Sequence, residues 1–313
     1  MSNNIAVVGT RGAGKTVFTT VLANYLARPR DGVQLIADSL EIEEYVAVNY
    51  ARLQRGEWLD STNTEEKLSW KFKVQGTVEQ LTLWDCPGED IERLFARKSF
   101  SREASRQGQR DRELVEYLLG ASKILVLINL ADFIEESNAE EVVRRQKLRE
   151  YSLREFLQAI RSSSSRSETR EATSPQASGI RILEDDSPED KPKIARASCH
   201  IAVVFTAYNQ YQDLISHQYG GVAKFLARRV PALYYDHFDQ QGVTGIAVSA
   251  VGEVDVEGRP KPGFKPVGLN TVVKWLIDPQ GYVESRSQNS LPIESPTKVE
   301  QKTDANTAKK YQW

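Results

Sequence analysis

The residues Gly9-Thr10-Arg11-Gly12-Ala13-Gly14-Lys15-Thr16 carry the densest chemistry in the chain. They fit the pattern GxxxxGK[ST]. In that pattern glycines let the backbone curl until several N–H groups point at phosphate oxygens, backed by the N-terminus of a helix that Val17 continues. Lys15 is suited to neutralise β- and γ-phosphates, and the Thr16 hydroxyl is suited to ligate Mg2+. A second stretch, Leu81-Thr82-Leu83-Trp84-Asp85-Cys86-Pro87-Gly88-Glu89, places an aspartate at the end of an apolar strand with a glycine three residues later.

The elements that must position these residues follow from hydrophobic periodicity. Ile5-Ala6-Val7-Val8, bounded by Gly9, reads as a buried strand, and the helix after the glycine-rich turn stops at Arg28-Pro29. Val33 to Ala37 reads as a strand. Ser39 to Gly56 reads as a helix with Ile42, Val46, Tyr50 and Leu53 on one stripe. Leu68, Trp70, Phe72 and Val74 alternate with polar residues, and Val78, Leu81 and Leu83 follow Gly76, which predicts an antiparallel hairpin. Ile124 to Leu130 is an apolar strand and Val142 to Ile160 an amphipathic helix; Ile201 to Phe205 and Gly245 to Val248 are further buried strands, and Leu269 to Ile277 is a last helix. Strands alternating with helices around one hairpin predict a three-layer α/β fold with a mostly parallel sheet and one antiparallel strand. Residues 162–198 and 281–313 are rich in Ser, Glu, Asp, Arg and Pro. The first is expected as a flexible insertion in a domain spanning 1–280, the second as a disordered tail.

Following a hairpin in this way, Asp85-Cys86-Pro87-Gly88 resembles the DxxG segment of Ras-like P-loop GTPases of the translation-factor-related class. The resemblance implies a Mg2+-dependent switch that binds GTP and GDP and hydrolyses GTP. Asp85 would hold Mg2+ through water and the Gly88 N–H would meet the γ-phosphate, so that the loop after it orders only in the triphosphate state. The family's switch threonine, a Mg2+ ligand, falls on Thr62, with Thr64 the alternative. Gly245-Ile246-Ala247-Val248-Ser249-Ala250-Val251 is similar to the family's SA motif, whose backbone contacts the guanine carbonyl. Lys15, Thr62 and Glu89 would be catalytic, with Gly9, Arg11, Gly12, Ala13, Gly14, Thr16, Val17, Gly88, Thr206, Asn209, Ser249 and Ala250 completing the nucleotide site. The insertion at 31–58 and the DxPGE form look like the larger bacterial GTPases, including the double-GTPase group. The implied partner is a protein effector that reads the switch loops.

Three positions depart from the family pattern. Where [NT]KxD is expected, the chain has Thr206-Ala207-Tyr208-Asn209: Ala207 replaces the lysine that packs over the base, and Asn209 replaces the base-reading aspartate. An amide cannot accept both guanine donor hydrogens. Asn209 instead suits a base with a carbonyl at that edge, such as xanthine, or Asp213 reaches in from the next turn. Glu89 stands where many small GTPases carry a glutamine, and its charge beside a γ-phosphate implies slow turnover without a partner. Arg11 either reaches over the phosphates or points to solvent. Two rival functions therefore stay open: a pseudo-GTPase scaffold that holds nucleotide without turnover, and an ATPase or small-molecule kinase with non-guanine specificity.

Composition narrows the remaining classes. The chain has 313 residues, 41 Lys plus Arg against 43 Asp plus Glu, and a net charge of −2, which argues against nucleic-acid binding driven by bulk charge. Arg93, Arg97, Arg102, Arg106 and Arg110 are interspersed with Glu92, Glu103 and Asp111, the pattern of a solvated helix. Two cysteines, Cys86 and Cys199, fit a reducing cytoplasm, and three scattered histidines give no metal spacing. The longest apolar run, Ile124 to Ala131 with Asn129 inside it, is too short to span a bilayer, and no secretory leader precedes Ile5.

Overall fold

Strands form where short apolar runs can be buried on both faces. In a computed structural model, residues 4–10, 12–30, 32–60, 66–74, 76–85, 113–114, 116–134, 140–165, 199–239, 243–287 and 293–294 are described. The chain starts with β1 (Asn4–Gly9), α1 (Lys15–Leu26), β2 (Val33–Ala37) and α2 (Leu40–Gln54). The hairpin is β3 (Glu66–Val74) and β4 (Thr77–Asp85), followed by β5 (Lys123–Asn129), the short α3 (Ala131–Ile134) and α4 (Glu140–Ser165). Next come β6 (His200–Thr206), α5 (Tyr208–Leu214) running into a π-helical turn at Ile215–Tyr219, and α6 (Val222–Arg229). The last elements are β7 (Thr244–Ala247), α7 (Leu269–Ile277), α8 (Pro279–Ser287) and β8 (Ile293–Glu294).

The strands make one sheet in the order β2-β3-β4-β1-β5-β6-β7-β8. Only β3 runs antiparallel, to β2 on one side and β4 on the other, while every other pairing among the described strands is parallel. The expectation of a mostly parallel sheet with one antiparallel strand therefore holds. Alternation along the central strands builds two cores. Ala6, Val8, Ile124, Val126 and Ile128 face a layer containing Phe156 of α4 and Phe225 of α6. Ile5, Val7, Leu125 and Leu127 face the layer of α1, α2 and α7, with Phe18, Leu53 and Trp275. Helices on both faces explain why the central strands are apolar throughout.

Within the 31–58 insertion, β2 extends the sheet beside the hairpin, pairing Leu35 with Phe72. Its helix α2 starts at Ser39, whose hydroxyl accepts the Ile42 N–H, with Glu41 and Glu43 in the first turn. Two stretches expected to lack structure carry some. Helix α4 continues to Ser165, and residues 166–198 lie outside the described residues. In 281–313, α8 reaches Ser287 and β8 pairs with β7, Gly245 beside Ile293. The physical reason is burial: Tyr282 packs into the core on the α1 face, which the polar composition of the tail conceals.

Candidate nucleotide-binding site

The parallel strands β4, β1, β5, β6 and β7 deliver the sequence motifs to one edge of the sheet, the carboxyl ends of the strands. In open α/β sheets this is where ligands bind. Strands β1 and β4 pair in parallel as far as Val7 with Leu83, and Gly9 and Asp85 end these strands at the same edge of the sheet. The Asp85 side chain lies outside the described residues, as do Arg11, Thr62, Thr64, Gly88 and Glu89.

The phosphate loop is shaped by its glycines. A Cβ on Gly9 would stand 2.6 Å from the Leu127 carbonyl oxygen, so only glycine lets the end of β1 lie this close to β5. Gly12 and Gly14 adopt φ of +72° and +73°, the left-handed region that costs other residues energy, and Gly14 leads directly into α1. Lys15 is 8% exposed, and its ammonium donates to the carbonyls of Gly9 (3.2 Å) and Thr10 (3.4 Å), lying back along the loop. Thr16, at the second position of α1, is half-buried. The Thr10 hydroxyl is buried with no hydrogen-bond partner among the described residues.

Two strand ends brace this loop from behind. Thr206 donates its hydroxyl to the Ala13 carbonyl (2.9 Å) and lies 3.3 Å from the Ile128 carbonyl, tying the end of β6 to the loop and to β5. Asn129 donates through Nδ2 to the Gly12 carbonyl (3.2 Å), while its Oδ1 accepts the Ala131 N–H (3.0 Å). Nothing in the sequence reading assigned Asn129 a role. The available signal was its polarity at the end of an otherwise apolar strand.

A cleft of about 180 Å³ opens beside the loop, lined by Gly12, Gly14, Val17, Trp58, Asn129, Thr206, Ala207, Asn209, Ser249 and Ala250 among others. Thus the phosphate-loop, TAxN and SA segments, distant in sequence, share one cavity. Asp213 is exposed and is not among the cleft-lining residues; Asn209 is. Ala207 holds a left-handed φ of +60° at the start of α5, where a non-glycine residue is strained. The Ser249 hydroxyl lies against two acceptors, Asn209 Oδ1 and the Gly252 carbonyl (2.8 Å), which share its one proton. Trp58 is the residue that sequence reasoning missed here. It is 41% exposed and its indole N–H donates to the Gly258 carbonyl (2.8 Å), so an aromatic side chain from the insertion joins the cleft wall. An aromatic placed just before the polar stretch that holds Thr62 was the signal.

A family model for Double-GTPase 1 matches residues 6–258, from β1 through the segment after β7. The chain belongs to the Double-GTPase 1 family. Membership places it among P-loop GTPases and implies a guanine nucleotide as ligand. No curated protein sequence matches the chain. Among solved structures it is similar to the G domain of the T. maritima FeoB iron transporter, at 11% identity and a TM-score of 0.36, covering 89% of this chain and 98% of that one. It is also similar to the signal recognition particle receptor SRb-GTP/SRX complex from Chaetomium thermophilum, at 11% identity and a TM-score of 0.38, covering 82% and 95%. A third similar structure is Methanosarcina barkeri Roco2 RocCORdC bound to GDP, at 13% identity and a TM-score of 0.31, covering 90% of this chain and 49% of that one. Among the described residues of this Double-GTPase 1 chain no helix is long and apolar enough to cross a membrane, and no group of three or more His, Cys, Asp or Glu is placed to hold a metal ion.

Proposed function

We propose that this chain is a Mg2+-dependent molecular switch that binds GTP and hydrolyses it to GDP and phosphate. The observation that carries the reading is the convergence of three segments on one cleft: the phosphate loop with Lys15, the β6 end with Thr206 and Asn209, and the β7 end with Ser249 and Ala250. Lys15 meets the β- and γ-phosphates, and the loop N–H groups from Gly12 to Thr16 hold phosphate oxygens at the start of α1. Trp58 supplies an aromatic wall to the base cleft in a chain where Ala207 cannot pack over a base as lysine does.

Residues fitting Mg2+ are the Thr16 hydroxyl at the start of α1, Asp85 at the end of β4, and Thr62. Hydroxyl and carboxylate oxygens suit a hard cation, and with so few protein ligands the phosphates of the nucleotide complete the set. When bound, the ion neutralises charge on the β- and γ-phosphates. Thr62 and the Gly88 N–H report the γ-phosphate, so the loops around them form a surface that a protein effector can distinguish between the GTP and GDP states. Glu89 orients the attacking water, and its negative charge beside the γ-phosphate keeps intrinsic turnover slow.

The test is multiple-turnover phosphate release from GTP with and without Mg2+, against Lys15→Ala. Release above the variant that disappears on chelation of Mg2+ supports the reading. Tight GTP binding with no release above Lys15→Ala would instead support a nucleotide-holding scaffold, the alternative that Glu89 and Asn209 motivate. A preference for ATP would make the chain an ATPase or kinase on the same loop.

A further inference from the structure

Strand β2 ends the sheet on the hairpin side, with β3 along one of its edges and no described strand along the other. In an antiparallel pair, successive residues turn both backbone groups alternately toward the neighbour and away from it. Two contacts fix that alternation here. Val33 exchanges both bonds with Arg30 (2.8 and 2.9 Å) on the side away from β3, whereas the Asp38 N–H donates to the Ser69 carbonyl of β3 (3.2 Å). Leu35 and Ala37 therefore turn their N–H and C=O groups outward, and neither has a partner on that side among the described residues. Such a row is a template for a further strand.

Against this edge lies a recess of about 200 Å³, lined by Ala23 and Ala27 of α1, Leu35 and Ala37 of β2, Val46 of α2 and Trp70 of β3, with the exposed Glu43 beside them. It shares no lining residue with the nucleotide cleft. Small-molecule sites hold roughly 300–1,000 Å³, so the recess suits one branched apolar side chain rather than a cofactor. On the opposite face of the sheet, Gln34 and Ile36 pair with Lys73 and Lys71 of β3. Both lysines are exposed and have no ion-pair partner among the described residues. Two strand spacings, about 9–10 Å, separate β3 from an added strand, a gap that a lysine and a glutamate side chain close together. A second copy pairing through its own β2 does not fit. Its Val33 and Leu35 are 0% and 4% exposed, held in its own core, and cannot enter the recess.

We infer that β2 is a docking edge for an extended segment of a partner protein, one that pairs with Leu35 and Ala37 through its backbone, sets a branched apolar side chain in the recess, and alternates it with acidic side chains facing Lys71 and Lys73. In strand addition of this kind the backbone bonds supply affinity, and the recess and the lysines supply selectivity.

The probe is a fluorescein-labelled peptide, Glu-Val-Glu-Leu-Glu-Val-Glu, titrated with the full chain and read by anisotropy. Saturable binding at about 100 μM or tighter is expected, with Lys-Val-Lys-Leu-Lys-Val-Lys weaker by about tenfold or more. Ala37→Pro removes one outward N–H and no bond to β3, a change that an edge strand accepts. The double variant Lys71→Glu, Lys73→Glu reverses the charge beside the edge. Each should weaken the acidic peptide by about tenfold, and the peptide should slow amide exchange at Leu35 and Ala37 in the native chain. No saturable binding up to about 1 mM overturns the inference, as does binding that either folded variant leaves unchanged. Equal binding of the basic peptide also overturns it. So does a dimer in sedimentation that Ala37→Pro dissolves, because the occupant of the edge is then a second copy. If Ala37→Pro does not fold, the lysine variant and the amide exchange decide.

Discussion

Replacing Thr206 by valine removes a hydroxyl and almost nothing else. The side chain is buried and keeps its shape, so no cavity forms. What is lost is the donor to the Ala13 carbonyl at 2.9 Å, with the longer contact to Ile128 at 3.3 Å sharing the same proton. Stranding a buried acceptor costs about 1–3 kcal/mol, and because the cleft beside the loop admits water the lower part of that range, about 1–2 kcal/mol, is expected. Where the cost shows depends on the loop. A rigid loop keeps the orphaned carbonyl in the free protein and the loss is seen in urea unfolding. A loop that relaxes hides it there and returns it on binding, where about 1–2 kcal/mol is about a five- to thirtyfold loss of affinity. The sum of the two readouts should therefore reach about 1–2 kcal/mol. GTP and GDP should weaken alike, since the bond braces the loop rather than the γ-phosphate. Thr206→Ser keeps the hydroxyl and should stay near wild type. A valine variant with a summed loss under about 0.5 kcal/mol would falsify the bracing role of Thr206.

Other perturbations test the frame that carries the site. Lys123 is buried with its ammonium on both Glu79 oxygens (2.7 and 2.8 Å) and on the Leu276 carbonyl (2.7 Å), so Lys123→Met should destabilise the chain by about 3–5 kcal/mol in urea unfolding, with the double variant Lys123→Met, Glu79→Leu clearly milder. Equal losses in both would show that the pair is not what the site lacks. Burial, and then the neighbouring Lys123 charge, hold His200 below the ordinary histidine range against the opposing pull of Asp278. The folded state thus favours the neutral ring, so this stability is complete above the unfolded pKa of about 6.5 and is lost as pH falls through it toward the folded value. His200→Gln should flatten the fall in unfolding free energy between about pH 7 and 5, and an unaltered slope would contradict the assignment. Burial pushes the Cys199 thiol up to about 12, so peptide mapping after iodoacetamide at mildly alkaline pH should find it unlabelled in the native chain and labelled in urea. Native labelling at the unfolded rate would refute that.

Much of the framework was legible because it rests on local signals. The run Ile5 to Val8, the stripe on residues 39–56 and the apolar segments at 124–130, 201–205 and 269–277 became β1, α2, β5, β6 and α7 with ends shifted by a residue or two. Periodicity reports which face is buried, and that is enough to choose between strand and helix. The segment from Tyr208 to Asp239 was not legible, since its helical pieces are short and broken by π-helical turns, too brief for a periodic stripe. Strand β8 was hidden for a different reason. Two residues in a polar tail carry no pattern of their own and become a strand only because β7 offers a free edge.

The chemistry of the phosphate loop is a local property. Glycines at 12 and 14 permit the left-handed turns, and Lys15 and Thr16 follow them along the chain, so residue type and spacing alone were sufficient to name them. The base side is a non-local property. Asn209 and Ser249 were assigned by resemblance, but the bond between them exists only once β6 and β7 lie side by side. Thr206 was expected at the nucleotide and also braces Ala13, because the end of β6 comes to lie behind the loop at the end of β1. Trp58 and Asn129 entered the cleft by the same route. A sequence states which groups a chain possesses, whereas the direction in which a hydroxyl or an amide spends its few hydrogen bonds is set by neighbours that only the folded sheet brings within 3 Å.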